Sequence, residues 1–75
     1  MIIDVQCHAG YRGNERPARL RFGDKVIEVT RVLDRWYDPE YSCFKVLGSD
    51  ANTYILKYSE PRGEWELVFF SKAGV

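Results

Sequence analysis

The chain has 75 residues, 45% of them hydrophobic, with eleven basic side chains, eleven acidic side chains and two cysteines. This length is enough for one hydrophobic core and too short for two, so we expect a single domain over residues 1–75. A net charge of zero argues against a strongly basic nucleic-acid binder or a membrane-surface helix, and no apolar run approaches the ~20 residues of a membrane span.

Six segments alternate apolar with polar residues or are rich in β-branched and aromatic residues, which predicts strands. The predicted strands are residues 2–7, 19–22, 25–33, 41–47, 53–58 and 64–70. The segments between them contain glycine, proline, asparagine and aspartate, which favour turns and loops. These predicted turns and loops are residues 10–17, 23–24, 37–40, 48–52 and 60–63.

The third predicted strand changes phase along its length. Its apolar residues lie at 27 and 29 and then at 32 and 33, which strict alternation cannot accommodate without an extra residue. A β-bulge near Arg31 would supply that residue and bend the sheet.

The core is expected to contain the largest apolar side chains, because a domain this small depends on burying them efficiently. These are Trp36, Trp65, Phe22, Phe44, Phe69 and Phe70. In the last strand, alternation places Trp65, Leu67 and Phe69 on one face and Val68 and Phe70 on the other. All five can share one core only if the sheet closes.

No segment has the periodicity of an amphipathic helix. Short strands separated by frequent turns are typical of small β-barrels. We therefore predict an all-β domain, a strongly curved antiparallel meander of five or six strands that forms a half-barrel or an SH3-like barrel.

The N-terminal segment lacks the features of a secretory signal, because it has no basic stretch and Asp4 interrupts its apolar residues. We therefore expect a cytoplasmic protein in which Cys7 and Cys43 stay reduced. A disulfide between them is the alternative, although two cysteines do not make a disulfide framework.

Cys7 and His8 are the one place where a thiol adjoins an imidazole. Consecutive side chains of a strand point to opposite faces, so the pair is poorly placed to act as nucleophile and base or to share a metal. A closed zinc site needs about four ligands, and Cys43 is the only other soft donor. We predict no enzymatic activity, no metal and no cofactor.

Arginine is concentrated in the N-terminal half, where residues 12–21 contain four arginines and one acid. Guanidinium groups bind phosphate in a forked geometry and stack on aromatic rings, so this segment and nearby tyrosines predict a weak nucleic-acid-binding face. The candidate residues are Arg12, Arg16, Arg19, Arg21, Arg35, Tyr11 and Tyr37. Arg19 and Arg21 share one strand face, opposite Leu20 and Phe22.

The alternative is an ordinary surface on which the arginines pair with acids while the aromatic side chains fill the core. The available acids are Glu15, Asp24, Glu28 and Asp34.

Three short motifs resemble a small bacterial domain of unknown function. They are Arg16-Pro17-Ala18-Arg19, Val32-Leu33-Asp34-Arg35-Trp36-Tyr37 and Trp65-Glu66-Leu67, and the resemblance covers nearly the whole chain from Arg16 onward. A similar domain forms a C-terminal appendage of Y-family-polymerase-like proteins involved in DNA-damage mutagenesis. The resemblance implies a bacterial protein and a nucleic-acid or repair-complex partner, by analogy of context.

The sequence therefore predicts a non-enzymatic binding or interaction module. One version binds nucleic acid weakly through the arginine and aromatic face. The other is a protein-interaction module or homodimer that uses an exposed sheet edge or an apolar patch, for which Val68 and Phe70 are the candidates.

Overall fold

The computed structural model describes residues 1–8, 16–59 and 61–72, and only the backbone of His8. These ranges contain six strands and no helix. The strands are β1 (Ile2–His8), β2 (Arg16–Phe22), β3 (Lys25–Tyr37), β4 (Tyr41–Gly48), β5 (Thr53–Ser59) and β6 (Glu64–Ser71). Each strand pairs antiparallel with the next, and β1 pairs with β6 to close a barrel. The predicted small all-β barrel is confirmed.

Tight turns join the strands where the sequence predicts them. Gly23 and Gly63 have φ values of 58° and 61°, a left-handed backbone that glycine adopts without steric cost. The Asp38 N–H donates to the Tyr41 carbonyl at 2.8 Å between β3 and β4. In the described part of the chain, no helix is long and apolar enough to cross a membrane.

β2 begins earlier than predicted. Arg16 and Pro17, assigned to a loop by the sequence, pair with His8 and Cys7 of β1. Proline has no N–H to donate to a neighbouring strand. β3 pairs only with residues 19–22 of β2, so Pro17 has no partner on β3 and its missing N–H costs no hydrogen bond to that strand. The predicted loop over 10–17 is therefore wrong at its last two residues, and residues 10–15 lie outside the described ranges.

Four residues are extra in their strands and shift the pairing register. They are Ala18 in β2, Thr30 and Leu33 in β3, and Val68 in β6. The bulge predicted near Arg31 is confirmed at Thr30, whose hydroxyl donates to the Leu47 carbonyl at 3.1 Å. β3 also extends to Tyr37, four residues beyond its predicted end.

The core lies inside the barrel. Its buried residues come from β1 to β5, and β6 contributes only partly buried residues. Its buried residues are Ile3, Leu20, Ile27, Phe44, Val46, Tyr54 and Leu56, against which Phe22, Trp65 and Leu67 are partly buried. We call the face of each strand that carries these residues the inner face and the opposite one the outer face.

Three of the predicted core residues lie outside the core. Trp36 pairs with Cys43 on the outer face and is 40% exposed. Val68 resets the alternation of β6, so Phe69 lies opposite Ile55 on the outer face and is 53% exposed. Phe70 lies opposite Tyr54 on the inner face, with ring centroids 5.3 Å apart, but it is 45% exposed and does not belong to the buried core.

A polar cluster anchors the loop between β4 and β5. The Tyr54 hydroxyl donates to Asp50 Oδ2 at 2.5 Å, and the Asn52 N–H donates to Asp50 Oδ1 at 3.1 Å. Burial, together with the Asp50 hydrogen bond, raises the pKa of Tyr54 to about 12. Burial alone would raise the pKa of Asp50, but the hydrogen bonds from Tyr54 and Asn52 lower it below its ordinary value of 3.8.

The last residue of β4, Gly48, is a tight packing position. A Cβ there would lie 2.7 Å from Ile27 Cγ2 and 3.0 Å from Tyr54 Cε1, both core side chains. We expect Gly48→Ala to lower the free energy of unfolding by about 1–3 kcal/mol, the usual cost of overpacking. Urea denaturation measures this. Gly23→Asn is the matched control, because asparagine tolerates positive φ and no atom lies within 4 Å, and an equal loss in both variants would contradict the packing argument.

The Tyr54 and Asp50 pair predicts a defined pH dependence. Because the pKa of Asp50 is lower in the folded state, the contribution of its carboxylate to the free energy of unfolding is present above pH ~4. That contribution is lost as the pH falls through the folded-state pKa. Because the folded pKa of Tyr54 is raised, its contribution is present below pH ~10 and is lost as pH rises through about 12.

We therefore expect Tyr54→Phe to destabilise the protein by about 1–2 kcal/mol at pH 7, and the difference from wild type to shrink toward both extremes of pH. Denaturation curves at several pH values test this. Tyr58→Phe is the control, since the described residues accept no hydrogen bond from its hydroxyl. A Tyr54→Phe penalty that is constant from pH 2 to pH 11 would show that the hydrogen bond is not its source.

Candidate binding surface

The structure divides the predicted arginines between two faces. Arg19 and Arg21 lie on the outer face of β2, where they are exposed, as their alternation with buried Leu20 predicts. Arg35 lies opposite Phe44 on the inner face of β3. These arginines therefore do not form one surface.

The outer face around Arg19 and Arg21 is balanced in charge. Arg19 donates from Nε to Glu28 Oε1 at 2.7 Å and from Nη1 to Gln6 Oε1 at 3.2 Å. Arg21 lies directly opposite Asp4 of β1. The pairing with Glu28 proposed as the alternative is thus present at Arg19, and two arginines face two carboxylates here.

The second group lies at one end of the barrel, which we call the Tyr37 end. Antiparallel order brings the last residues of β1, β3 and β5 to this end, together with the first residues of β2, β4 and β6. Arg35 and Tyr37 share the inner face of β3, and the Tyr37 side chain is 58% exposed. Arg16, the first residue of β2, is exposed at the same end.

Four aromatic rings continue from Tyr37 across the inner face. The Tyr37 and Phe44 centroids are 6.3 Å apart, Phe44 and Trp65 are 5.6 Å apart, and Trp65 and Tyr58 are 4.9 Å apart. Phe44 is buried, whereas Tyr58 and Trp65 are half-buried. The series joins an exposed ring on β3 to two partly accessible rings on β5 and β6.

A groove of about 440 Å³ opens beside Trp65 and Tyr58. It lies where β1 leaves β6, because the two strands pair only at Ile2 and Ile3. Its lining includes Ile3, Val5 and Cys7 of β1 and the acidic residues Asp4 and Glu64. We call it the Trp65 groove.

Five of the six described arginines carry charge that no acid neutralises directly. Within residues 1–8, 16–59 and 61–72, the arginines without an ion pair are Arg16, Arg21, Arg31, Arg35 and Arg62. The nearest acids along the chain are occupied: the Asp34 carboxylate accepts the Arg35 backbone N–H at 2.8 Å, and Asp38 raises the pKa of the Tyr41 hydroxyl by accepting its hydrogen bond. The Tyr37 end therefore presents guanidinium beside an exposed ring.

Cys7 and Cys43 are both thiols and are not joined by a disulfide. Cys43 lies on the outer face between Trp36 and Lys57, and burial raises the pKa of its thiol, so the reactive thiolate is disfavoured at neutral pH. The His8 side chain lies outside the described part of the structure. Among the side chains that are described, no three histidine, cysteine or carboxylate groups converge on a possible metal position.

The predicted site residues thus have three outcomes. Arg35 and Tyr37 lie together on one face with Arg16 at the same end, Arg19 and Arg21 lie elsewhere, and Tyr11 and Arg12 lie outside the described ranges. Sequence reasoning missed Tyr58 and Trp65 as site residues. Antiparallel order alone would have brought the end of β5 and the start of β6 beside the end of β3.

No protein-family model, no curated protein and no solved structure matches the chain. The resemblance to the small bacterial domain stays a prediction.

Proposed function

We propose that this domain is a non-enzymatic module that binds single-stranded nucleic acid weakly at the Tyr37 end. The observation that supports this most directly is that Arg35 and Tyr37 lie on one face of β3, with the Tyr37 ring largely exposed. A guanidinium beside an exposed ring offers one contact for a phosphate and one for a base.

The chemistry of these side chains fits an unpaired strand. Arginine binds phosphate oxygens with its forked donors, and Arg35 has no acid partner among the described residues that would compete for them. Base stacking on an aromatic ring contributes about 1–3 kcal/mol per base. The bases of a duplex are already stacked on each other, so an exposed ring favours a single strand.

The proposal assigns different roles to arginines that look equivalent in the sequence. Arg35 contacts phosphate, and Arg16 supplies a second contact at the same end of the barrel. Arg19 contributes little, because Glu28 and Gln6 occupy its guanidinium.

The matched test compares Arg35→Ala with Arg19→Ala, since each removes one exposed arginine. We expect Arg35→Ala to weaken binding of an eight-residue oligo-dT at low salt and to reduce the slope of log affinity against log salt by about 0.7, the value for one phosphate on a single strand. Arg19→Ala should leave both quantities near wild type. Fluorescence anisotropy of a labelled oligonucleotide measures them.

Tyr37→Phe and Tyr37→Ala then separate stacking from hydrogen bonding. The phenylalanine variant keeps the ring and should keep the affinity, whereas the alanine variant should lose about 1–3 kcal/mol of binding free energy. Absence of binding by the wild-type protein at low salt, or equal losses in the Arg19 and Arg35 variants, would refute the proposal.

A second candidate function is protein interaction through the outer face of β5 and β6. Val68 is 56% exposed beside exposed Phe69, and Ile55 lies opposite Phe69. Exposed apolar residues that adjoin on one sheet face are typical of interaction sites.

For this candidate we expect the wild-type protein to self-associate in sedimentation velocity runs at high micromolar concentration, and Phe69→Ser to remove the association. Val26→Ser is the matched control, because Val26 is equally apolar and exposed but belongs to the β2–β3 hairpin. A strictly monomeric wild-type protein at every concentration would exclude the homodimer.

A further inference from the structure

We infer that the Trp65 groove is a pocket for one unpaired base of the bound strand and that it selects guanine. This inference rests on the proposed function, because it assigns the groove to the same ligand. It adds a second contact site and a base preference.

The groove lies at the far end of the aromatic series that begins at Tyr37. Trp65 and Tyr58 border it, and Phe44 joins them to Tyr37 through ring contacts of 5.6 Å and 6.3 Å. Phe44 is buried, so the rings a bound strand can reach are Tyr37 at one end of the series and Tyr58 and Trp65 at the other. A volume of about 440 Å³ admits a single flat heterocycle.

The polar lining of the groove is acidic and so recognises hydrogen-bond donors. Neither acid forms an ion pair with a described residue. Glu64 directly precedes Trp65 in β6, whereas Asp4 lies opposite Arg21 of β2, whose charge lies beside it. A carboxylate has two acceptor oxygens and no donor. Glu64 is therefore the side chain that reads the edge of the base.

Guanine is the base whose pairing edge matches a carboxylate. Its N1–H and exocyclic N2–H₂ are adjacent donors that bond both carboxylate oxygens at once. Adenine and cytosine each place a ring acceptor beside one amino donor, and thymine places two carbonyl oxygens around one N–H. These acceptors repel the carboxylate, so the pocket disfavours them.

The test uses Trp36→Phe, which leaves Trp65 as the single tryptophan of the chain and makes its emission a reporter for the groove. The probes are three eight-residue oligonucleotides: all thymine, thymine with one central guanine, and the same with hypoxanthine, which lacks the N2 amino group. We expect the guanine probe to bind about tenfold more tightly than the other two, the effect of one bidentate contact, and to quench Trp65.

Glu64→Gln should abolish the guanine preference, so that the guanine and hypoxanthine probes bind with equal affinity. Glu40→Gln is the matched control, because it removes the same charge near the Tyr37 end of the barrel, while Glu40 does not border the groove. It should keep the preference.

The outcomes separate the two proposals. Equal binding of all three probes by the wild type, or a preference that survives Glu64→Gln, overturns the guanine pocket and leaves the proposed function intact. No binding of the all-thymine probe at low salt, together with none of the guanine probe, overturns both.

Discussion

The architecture depends on the strict two-residue alternation of β-strands and on the four extra residues that interrupt it. A strand without interruption keeps one set of side chains on one face along its whole length, so it cannot change which residues point inward. Ala18, Thr30, Leu33 and Val68 each reset that alternation. Bulges also increase local twist and bend a sheet, which a closed barrel of short strands requires.

The same interruptions decide which side chains reach solvent. The irregular pairing at Thr30 is compensated locally, because the Thr30 hydroxyl donates a hydrogen bond to the Leu47 carbonyl. Leu33 and Val68 are apolar, and both are exposed. Val68 also exchanges the positions of Phe69 and Phe70, so an apolar patch appears on the outer face of β6 while the Tyr54 ring gains a neighbour. The exposed apolar surface of this protein is thus partly a consequence of closing the barrel.

The alternation of polar and apolar residues predicts strand register only where both kinds of residue occur. It gives no information in a segment that is wholly apolar. The bulge in β3 is visible because the apolar positions change spacing between Val29 and Val32. The bulge in β6 is not visible, because residues 67–70 are all apolar and give no phase to read. The prediction of the candidate site from sequence failed for the same reason. Two interruptions, at Thr30 and Leu33, lie between Arg19 and Arg35. The sequence predicts only the first of them, so spacing along the chain could not show that the two arginines lie on opposite faces.

The free edge of β3 argues against an added β-strand as the ligand and is compatible with the proposed strand of nucleic acid. Within the described residues, β3 beyond Glu28 pairs only with β4, and such an edge would normally recruit another β-strand. Two bulges break the regular spacing that an added strand needs, and the Asp34 carboxylate already accepts the Arg35 N–H. These features resist main-chain pairing while the side chains of Arg35 and Tyr37 stay accessible. Three arginines at this end, Arg16, Arg35 and Arg62, make no ion pair with a described residue. In the proposed complex they would neutralise about three phosphates, which limits the salt slope to roughly 2 and makes the affinity weak unless ring contacts add to it. Selectivity in such a site would therefore come from contacts with the bases. The Trp65 groove, at the far end of the aromatic series, is the place proposed for such a contact.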